Sequence, residues 1–418
     1  MNNKIPLLLL FAVVCLTQSY QHDTADLEVL AEELSPPTEE EIQDPQLSTE
    51  LDDVEPAEAA IDHNEVYDLA AHEFAFDGKN TSVKSVKQLY TSNDLNEFEF
   101  PAFSKEVIYG LRQQLKLLKR KKQKYQHELG DLSVNLDQLE ETIHILLETD
   151  VDFIKDALAA HRIKGKDGRG NVHFTGYFTP VLKVKKTADA VYKYPFYTRP
   201  KNWVGKLPTR EQIDGEGVLK NKGLELAYAK NLVDIYFMQV QGSGVVEYPD
   251  GSQQLFAFDG SNGHRYRSIG KYMIAQGITT PENVSLTRLR KFFDQNPALL
   301  EEVLFVNSSY VFFTPAKSMK TTGAGVVPLT TDYSIAVDPR YIPLGSCVLA
   351  AVPVLDKRRN FSHHEFRLLL AQDIGGAIKG AGHVDLYTGV GRNAQRKASA
   401  LHHYGGLWLL LPKDKKES

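Results

Sequence analysis

The spacing of apolar residues changes along the chain, and each change predicts a different kind of element. From Ser104 onward, Leu111, Leu115 and Leu118 recur at helical spacing, and after Gly130 the run Leu132, Leu136, Leu139, Ile143 and Leu146 repeats it. Two such runs predict a helical hairpin with one apolar stripe on each helix. After "KGKDGRGN" the pattern becomes strand-like. "VHFTGYFTPVLKV", "LVDIYFMQVQGSGVVEY" and "SQQLFAFDG" are runs of β-branched and aromatic residues broken by Gly, Asp and Pro. One helical interruption follows, "SLTRLRKFFDQNPALLEEVLF", divided by Pro297. Strand patterns then return in "SYVFFTP", "YSIAVDP", "SCVLAAVPVL", "HEFRLLLAQDIG", "HVDLYTG" and "LWLLLP". Short strands at this spacing indicate a barrel or sandwich and not a doubly wound sheet. No internal repeat accompanies them.

Charge divides the chain differently. Between Lys4 and Lys79 there is no Lys or Arg but there are 19 Asp plus Glu, which leaves 35 acids against 47 bases from Lys79 onward, a formal charge of +12. The net charge of −6 thus joins an acidic leader to a basic body. A basic body suits an anionic partner, and it equally serves solubility. The acidic, Pro-dotted leader lacks the apolar area to offset its ordering entropy and reads as a disordered tether. Ahead of it, Lys4 and the apolar run from Ile5 to Leu16 are too short to span a bilayer but fit an export signal, residues 1–19, cleaved after Ser19. Cys15 raises lipidation as the rival, although Val14 stands where a small residue is usual in such signals. The cluster "KLLKRKKQKYQ" reads as a solvated helix face and not as a nucleic-acid patch. Cys347, in "IPLGSCVLAAV", reads as a small hydrophobe in a buried strand.

Three acids stand at or just past the ends of apolar strands: Asp338 in "SIAVDPRYIPLG", Asp373 in "LLLAQDIGG" and Asp385 in "GHVDLYTG". A carboxylate there can project into a cleft while the strand holds its backbone still. Gly375 and Gly376 let a ligand approach the main chain. If two of the acids converge, burial and mutual repulsion raise one pKa and keep a general acid protonated near neutral pH. Acids capping turns beside hairpin glycines produce the same pattern, so the residues alone leave both readings open. Upstream, Gln239, Gln241, Ser243, His264, Tyr266, Arg267 and Lys271 combine amide, hydroxyl, imidazole and cationic groups with aromatic faces. That mixture suits a polysaccharide groove, and a packed core with solvated cations is the alternative. The histidine pairs at 363–364 and 402–403 lack zinc-site spacing, "GGAIKG" lacks the phosphate-loop pattern, and no Gly-x-Ser-x-Gly elbow occurs. No metal or cofactor is expected.

Taken together and in order, "FTGYFTPVL", "VQGSGVV", "NGHRYRSIGK", "SYVFFTP", "DPRYIPLG" and "DIGGAIKGAGHVDLYTG" resemble the membrane-bound lytic murein transglycosylase A family of bacteria. The resemblance runs from about Gly170 to Leu411. One additional residue stands in "KGAGHVD" relative to the family pattern. The resemblance implies a mainly β fold with N-terminal helices: a double-psi β-barrel domain, a second inserted β-barrel-like domain, and a glycan groove between them. It divides the chain into a signal peptide (1–19), an acidic tether (20–79), a helical segment leaning on the barrel (80–168), an inserted glycan-binding domain (169–312) and a catalytic barrel (313–413). The implied reaction is cleavage of the β-1,4 bond from N-acetylmuramic acid to N-acetylglucosamine in peptidoglycan, leaving a 1,6-anhydromuramyl end. By motif, Asp385 matches the general acid/base, and Asp373 and Asp338 its two partners. Tyr177, Gly375, Gly376 and Lys379 join Gln239, Gln241, Ser243, His264, Tyr266 and Arg267 as expected substrate contacts. The implied partner is a peptidoglycan strand met by a monomer in the periplasm or at the outer membrane, without nucleic acid.

Overall fold

The structure is a computed structural model that describes residues 67–70, 72–76, 90–121, 126–129, 132–280, 284 and 286–413. The expected export signal lies outside these residues, as does the acidic leader up to 66. The end of that leader is packed and not free. Tyr67 stacks on Phe98 at 5.3 Å and meets Trp408 edge-on at 5.4 Å, and Asn171 Nδ2 donates to the Ala75 carbonyl at 2.9 Å. Tyr67, Phe74 and Phe76 supply the apolar area that the preceding acidic residues lack.

The chain then forms β1 (Tyr90–Asp94), α1 (Lys105–Leu118), a ribbon of β2 (Gln126–Leu129) and β3 (Leu132–Asn135), α2 (Leu136–Leu147), α3 (Val151–Ala157) and β4 (Leu158–Ile163). The Ser104 side chain caps α1 by accepting from the Val107 N–H, and Asn135 with Gln138 forms a capping box on α2. These caps explain a departure from the expected hairpin of helices. Asn135 can begin a helix only after itself, so Leu132 at the head of the second apolar run falls in a strand. Helix α1 packs on the sheet at Gly110 and Gln114, whose Nε2 donates to the Ser346 carbonyl at 2.9 Å.

Next come β5 (Val172–Thr179), β6 (Val181–Lys185), β7 (Tyr194–Tyr197), β8 (Glu225–Ala229), α4 (Leu232–Gln241), β9 (Gly244–Glu247), β10 (Gln253–Ser261), α5 (Ile269–Ala275), α6 (Leu286–Gln295), α7 (Leu300–Phe305) and β11 (Val311–Pro315). Strands β6 to β11 make a six-stranded sheet in the order β11-β10-β9-β6-β8-β7, and its edge strands β11 and β7 approach each other. The run "LVDIYFMQVQ", which reads as a strand, is helix α4. Seven of its ten residues are buried, so it shows no polar face to betray a helical period, and Gly242 ends it in the left-handed region at φ 77°.

The last segment forms β12 (Ser334–Val337), β13 (Cys347–Leu355), β14 (Phe361–Ile374), β15 (His383–Val390), α8 (Gly391–Ala398) and β16 (His402–Pro412). Pairing closes a six-stranded barrel: β16 with β13, β13 with β14, β14 with β12, β12 with β15, β15 with β5, and β5 back to β16. Strand β4, with β1 beyond it, pairs with residues 408–412 of β16 on the edge that β5 takes at 402–405, opposite β13. Strand β5 therefore belongs to the barrel, although the expected boundary at 169 assigns it to the inserted domain. Its alternating pattern is the same in either sheet, and only the pairing decides. Cys347 is buried at the head of β13.

One face of β5 carries Val172, Phe174, Gly176 and Phe178: the first two enter the barrel core, and the last two, further along the same face, meet α8. A Cβ on Gly176 would lie 2.6 Å from the Ala398 Cα, so α8 sits against β5 only because no side chain stands there. Replacing Gly176 by Val should lower stability by about 1–3 kcal/mol through this overpacking. A urea unfolding midpoint equal to that of the unmodified chain would show that α8 is not held there.

Candidate active site

The barrel register assembles a row of chemistry-bearing residues. On β12, Ala336 pairs with Asp373 of β14 on one side and with Asp385 of β15 on the other; Asp385 pairs with Thr175 of β5, and Thr175 with His402 of β16. Residues directly opposite one another across a sheet point to the same face. Asp373 and Asp385 thus share a face two strands apart, on the order of 10 Å between Cα atoms, with only the methyl group of Ala336 between them. Val384 and Leu386 turn into the barrel core, so Asp385 turns outward. A bulge is needed for this alignment. The pairing of β12 with β14 steps from Ile335–Ala371 to Ala336–Asp373, leaving Gln372 as the extra residue. Gln372 is buried and held in place, accepting from Ser334 Oγ at 2.6 Å and donating to the Gly110 carbonyl at 3.3 Å.

Two further rows flank the first on the same face. His383 pairs with His173, which pairs with Tyr404; Tyr387 pairs with Tyr177. The rings of His173 and His383 stack at 5.2 Å and those of Tyr177 and Tyr387 lie 5.2 Å apart.

The two outward carboxylates differ in how they are satisfied. Asp373 is the more heavily bonded: Tyr177 Oη donates to its Oδ2 at 2.9 Å, and the N–H groups of Ala324 and Ile374 donate to its Oδ1 at 2.8 and 2.9 Å. The Ala324 contact depends on Gly323, where a Cβ would lie 2.7 Å from the Asp373 carboxyl carbon. Burial raises the Asp373 pKa, and these three donors pull against it. Asp385 accepts one hydrogen bond, from Thr175 Oγ1 to Oδ1 at 2.8 Å. Burial pushes its carboxyl up to about 7, the charge of Asp373 adds to the rise, and the Thr175 bond only partly opposes it. Tyr177 is driven well above the ordinary phenol value by burial and by Asp373, so it stays a donor. Burial, abetted by Lys166 and by the neighbouring imidazoles, lowers His383 to about 3 and His173 to about 4, and both rings are neutral at physiological pH.

The expected third acid has a different set of partners. Asp338 is buried and its oxygens are taken by Arg340, with Nε at 3.0 Å and Nη2 at 2.7 Å, and by the Gly380 N–H at 2.8 Å. It anchors the glycine-rich loop that leads into β15. Among the expected substrate contacts, Gln239 and Ser243 are buried in the insert, with Gln239 Nε2 donating to the Val311 carbonyl at 3.0 Å. Gln241 ties the insert to the barrel by accepting from the Phe178 N–H at 3.0 Å. His264 is half-buried with Nε2 at 2.7 Å from the Leu207 carbonyl. Tyr266 and Lys271 line a small apolar cavity of about 250 Å³ with Tyr236, Phe237 and Ile269, while Arg267 is exposed. Gly376 is exposed with open space about it, and Gly375 and Lys379 are half-buried on the loop fixed by Asp338. Thr175 and His173 are not singled out by the sequence, and His383 only among histidines that lack zinc-site spacing; the two-residue alternation in "VHFTGYF" and "GHVDLY" is the signal that places them beside Tyr177 and Asp385. Among the described residues no group of three or more His, Cys, Asp or Glu side chains is placed to hold a metal ion.

Comparison with known proteins meets the same regions. A family model described as the MltA specific insert domain matches residues 173–314, and one described as the 3D domain matches residues 333–411. Membrane-bound lytic murein transglycosylase A of Escherichia coli strain K12 is 42% identical over 254 residues, 60% of this chain and 68% of that protein. The Vibrio cholerae protein of that name is 40% identical over 256 residues, 60% of this chain and 69% of that one. The crystal structure of E. coli MltA with bound chitohexaose matches with a TM-score of 0.64 at 31% identity, covering 82% of this chain and 97% of that chain. MltA from Neisseria gonorrhoeae, in a monoclinic form, matches with a TM-score of 0.62 at 27% identity, covering 81% and 97%.

The electrostatics make a measurable prediction. In a carbon-13 NMR titration the Asp385 carboxyl should titrate near pH 7, and Asp373→Asn should move that midpoint down by removing a negative neighbour. Because burial is the larger cause, the shifted midpoint should still lie well above the ordinary carboxylate range. An Asp385 midpoint near 4 in the unmodified chain would contradict the burial seen here.

Proposed function

Because the chain belongs to the membrane-bound lytic murein transglycosylase A family and is a lytic transglycosylase, we propose that it cleaves the MurNAc-β-1,4-GlcNAc bond of peptidoglycan with Asp385 as its single general acid/base and releases a 1,6-anhydromuramyl product. The observation that carries this reading is the contrast between the two carboxyls. Asp385 is half-buried, titrates near 7 and accepts one hydrogen bond, whereas both oxygens of Asp373 are already engaged. A hydrolytic glycosidase uses a second carboxylate, either as nucleophile or to activate water. Asp373, held by three donors, is poorly suited to attack, and Asp338 is consumed by Arg340 and the loop.

In the proposed cycle Asp385 begins protonated. It gives its proton to the glycosidic oxygen as the bond to C1 breaks and positive charge spreads over the muramyl ring. The carboxylate so formed takes the proton of the C6 hydroxyl while that oxygen closes on C1. The proton count is restored without water, and the sugar supplies the nucleophile. Burial keeps the Asp385 pKa high, Asp373 adds to the rise, and Tyr177 acts through Asp373. Asp338 fixes the loop whose exposed Gly376 backbone and Lys379 lie next to the reacting bond, and the insert lends Tyr266 and Arg267 to the glycan. A relative crystallised with bound chitohexaose supports a β-1,4-linked glycan as ligand. The basic body suits the carboxylates of peptide stems. Residues 1–19 export the chain, which acts as a monomer in the periplasm or at the outer membrane.

Asp385→Asn should abolish release of anhydromuropeptides from purified sacculi while circular dichroism stays unchanged; a near-normal rate would refute the assignment. In the unmodified enzyme kcat/KM should fall as pH rises through about 7, because the acid form is then lost. Product masses separate this reading from hydrolysis, since a reducing end is heavier than an anhydro end by one water.

A further inference from the structure

We propose that Thr175 and His383 are positioning residues that decide which oxygen of Asp385 carries the transferable proton, with the neutral His383 ring in its Nε2–H tautomer directing the Thr175 hydroxyl at Oδ1. The inference rests on the reading of Asp385 as the acid/base. A threonine hydroxyl has one proton to give and lone pairs to accept. Around Thr175 Oγ1 stand Asp385 Oδ1 at 2.8 Å, His383 Nε2 at 2.9 Å and the Val384 carbonyl at 3.5 Å, the last too long to compete.

Two proton arrangements fit these distances. With the proton on Nε2, His383 donates to Thr175, Thr175 donates to Oδ1, and the acid proton of Asp385 is left on Oδ2, which receives no hydrogen bond from any described residue. With the proton on Nδ1, Thr175 donates to Nε2 instead, and Oδ1 carries the acid proton toward the protein wall, away from a substrate. The catalytic cycle discriminates between them. When Asp385 is ionised it needs a donor, and Thr175 can supply its proton to the carboxylate only if its other close partner is itself a donor. The tautomer that serves the carboxylate thus also leaves the proton on the open oxygen once Asp385 is recharged.

The surroundings keep the imidazole neutral so that it works through its tautomer and not through charge. His173 stacks on His383 from β5, His402 approaches from β16, and the Lys166 backbone packs against Gly382, where a Cβ would lie 2.4 Å from the Lys166 nitrogen. Burial first, and the Lys166 cation besides, disfavour a positive charge on His383. The other titratable groups facing Asp385 are Asp373 on β14, Tyr177 on β5 and Tyr387 on β15. An imidazolium at His383 would hold Asp385 ionised and remove the acid.

The test combines a spectroscopic and a kinetic readout. Nitrogen-15 NMR of the full chain with labelled histidine, the His383 signal identified by its loss in His383→Gln, should show the Nε2–H tautomer at pH 7. Thr175→Val should lower kcat about tenfold to a hundredfold, less than loss of the acid/base itself, because the proton donor remains. KM should change little, and the alkaline limb of the pH–rate profile should move to higher pH, because a bond that favours the carboxylate is lost. Thr175→Ser should restore both. His383→Phe should lower kcat several-fold, and His383→Gln, which keeps an N–H donor, should recover most of it. An Nδ1–H tautomer or an imidazolium, an unmoved limb in Thr175→Val, or His383→Gln as impaired as His383→Phe would overturn the proposal. Full activity in Asp385→Asn would instead sink the reading of the site on which the proposal stands, and the two failures are told apart by which variant shows them.

Discussion

Closure of the barrel by β5 is the constraint on which the site depends. Strand β5 pairs with β15 on one edge and with β16 on the other, and without it the remaining five strands would have open edges. The same pairing sets Thr175 beside Asp385, His173 beside His383 and Tyr177 beside Tyr387. Strand β5 comes from a part of the chain more than 200 residues before β15, and the insert is spun out between them. Catalytic geometry and barrel integrity are consequently one requirement, because a one-residue slip of β5 would turn every one of these side chains to the other face.

Within that frame, desolvation is the dominant force and hydrogen bonds apportion it. Burial raises both outward carboxyls, but three donors restrain Asp373 while one restrains Asp385. Two acids from the same sheet face are thereby driven to different tasks by the number of N–H and O–H groups aimed at them. The histidine cluster follows the same logic with the opposite sign, since desolvation and nearby cations strip its positive charge and leave only hydrogen-bonding capacity.

Much of the fold was legible in the chain. Strand patterns from Val172 onward, Pro297 breaking the helical interruption, and the stripes of α1 and α2 all correspond to elements of the structure. The errors have local causes. The pattern of helix α4 reads as a strand because a helix buried on nearly every side has no polar period. Leu132 was read as helical because the cap at Asn135 was not weighed against the apolar spacing.

By itself the sequence determined the character of the pieces: an acidic leader, a basic body rich in short strands, and the motif of glycines and carboxylates from 373 to 385. These follow from composition and from period, which are local properties. Tertiary structure alone decided that β5 joins the barrel, that a bulge at Gln372 brings Asp373 into line with Asp385, and that Thr175 and His383 meet at the acid. Those outcomes depend on pairing and register between segments far apart in the chain. Side-chain alternation is the same whichever partner a strand takes, so one strand read alone carries no record of what will lie opposite it.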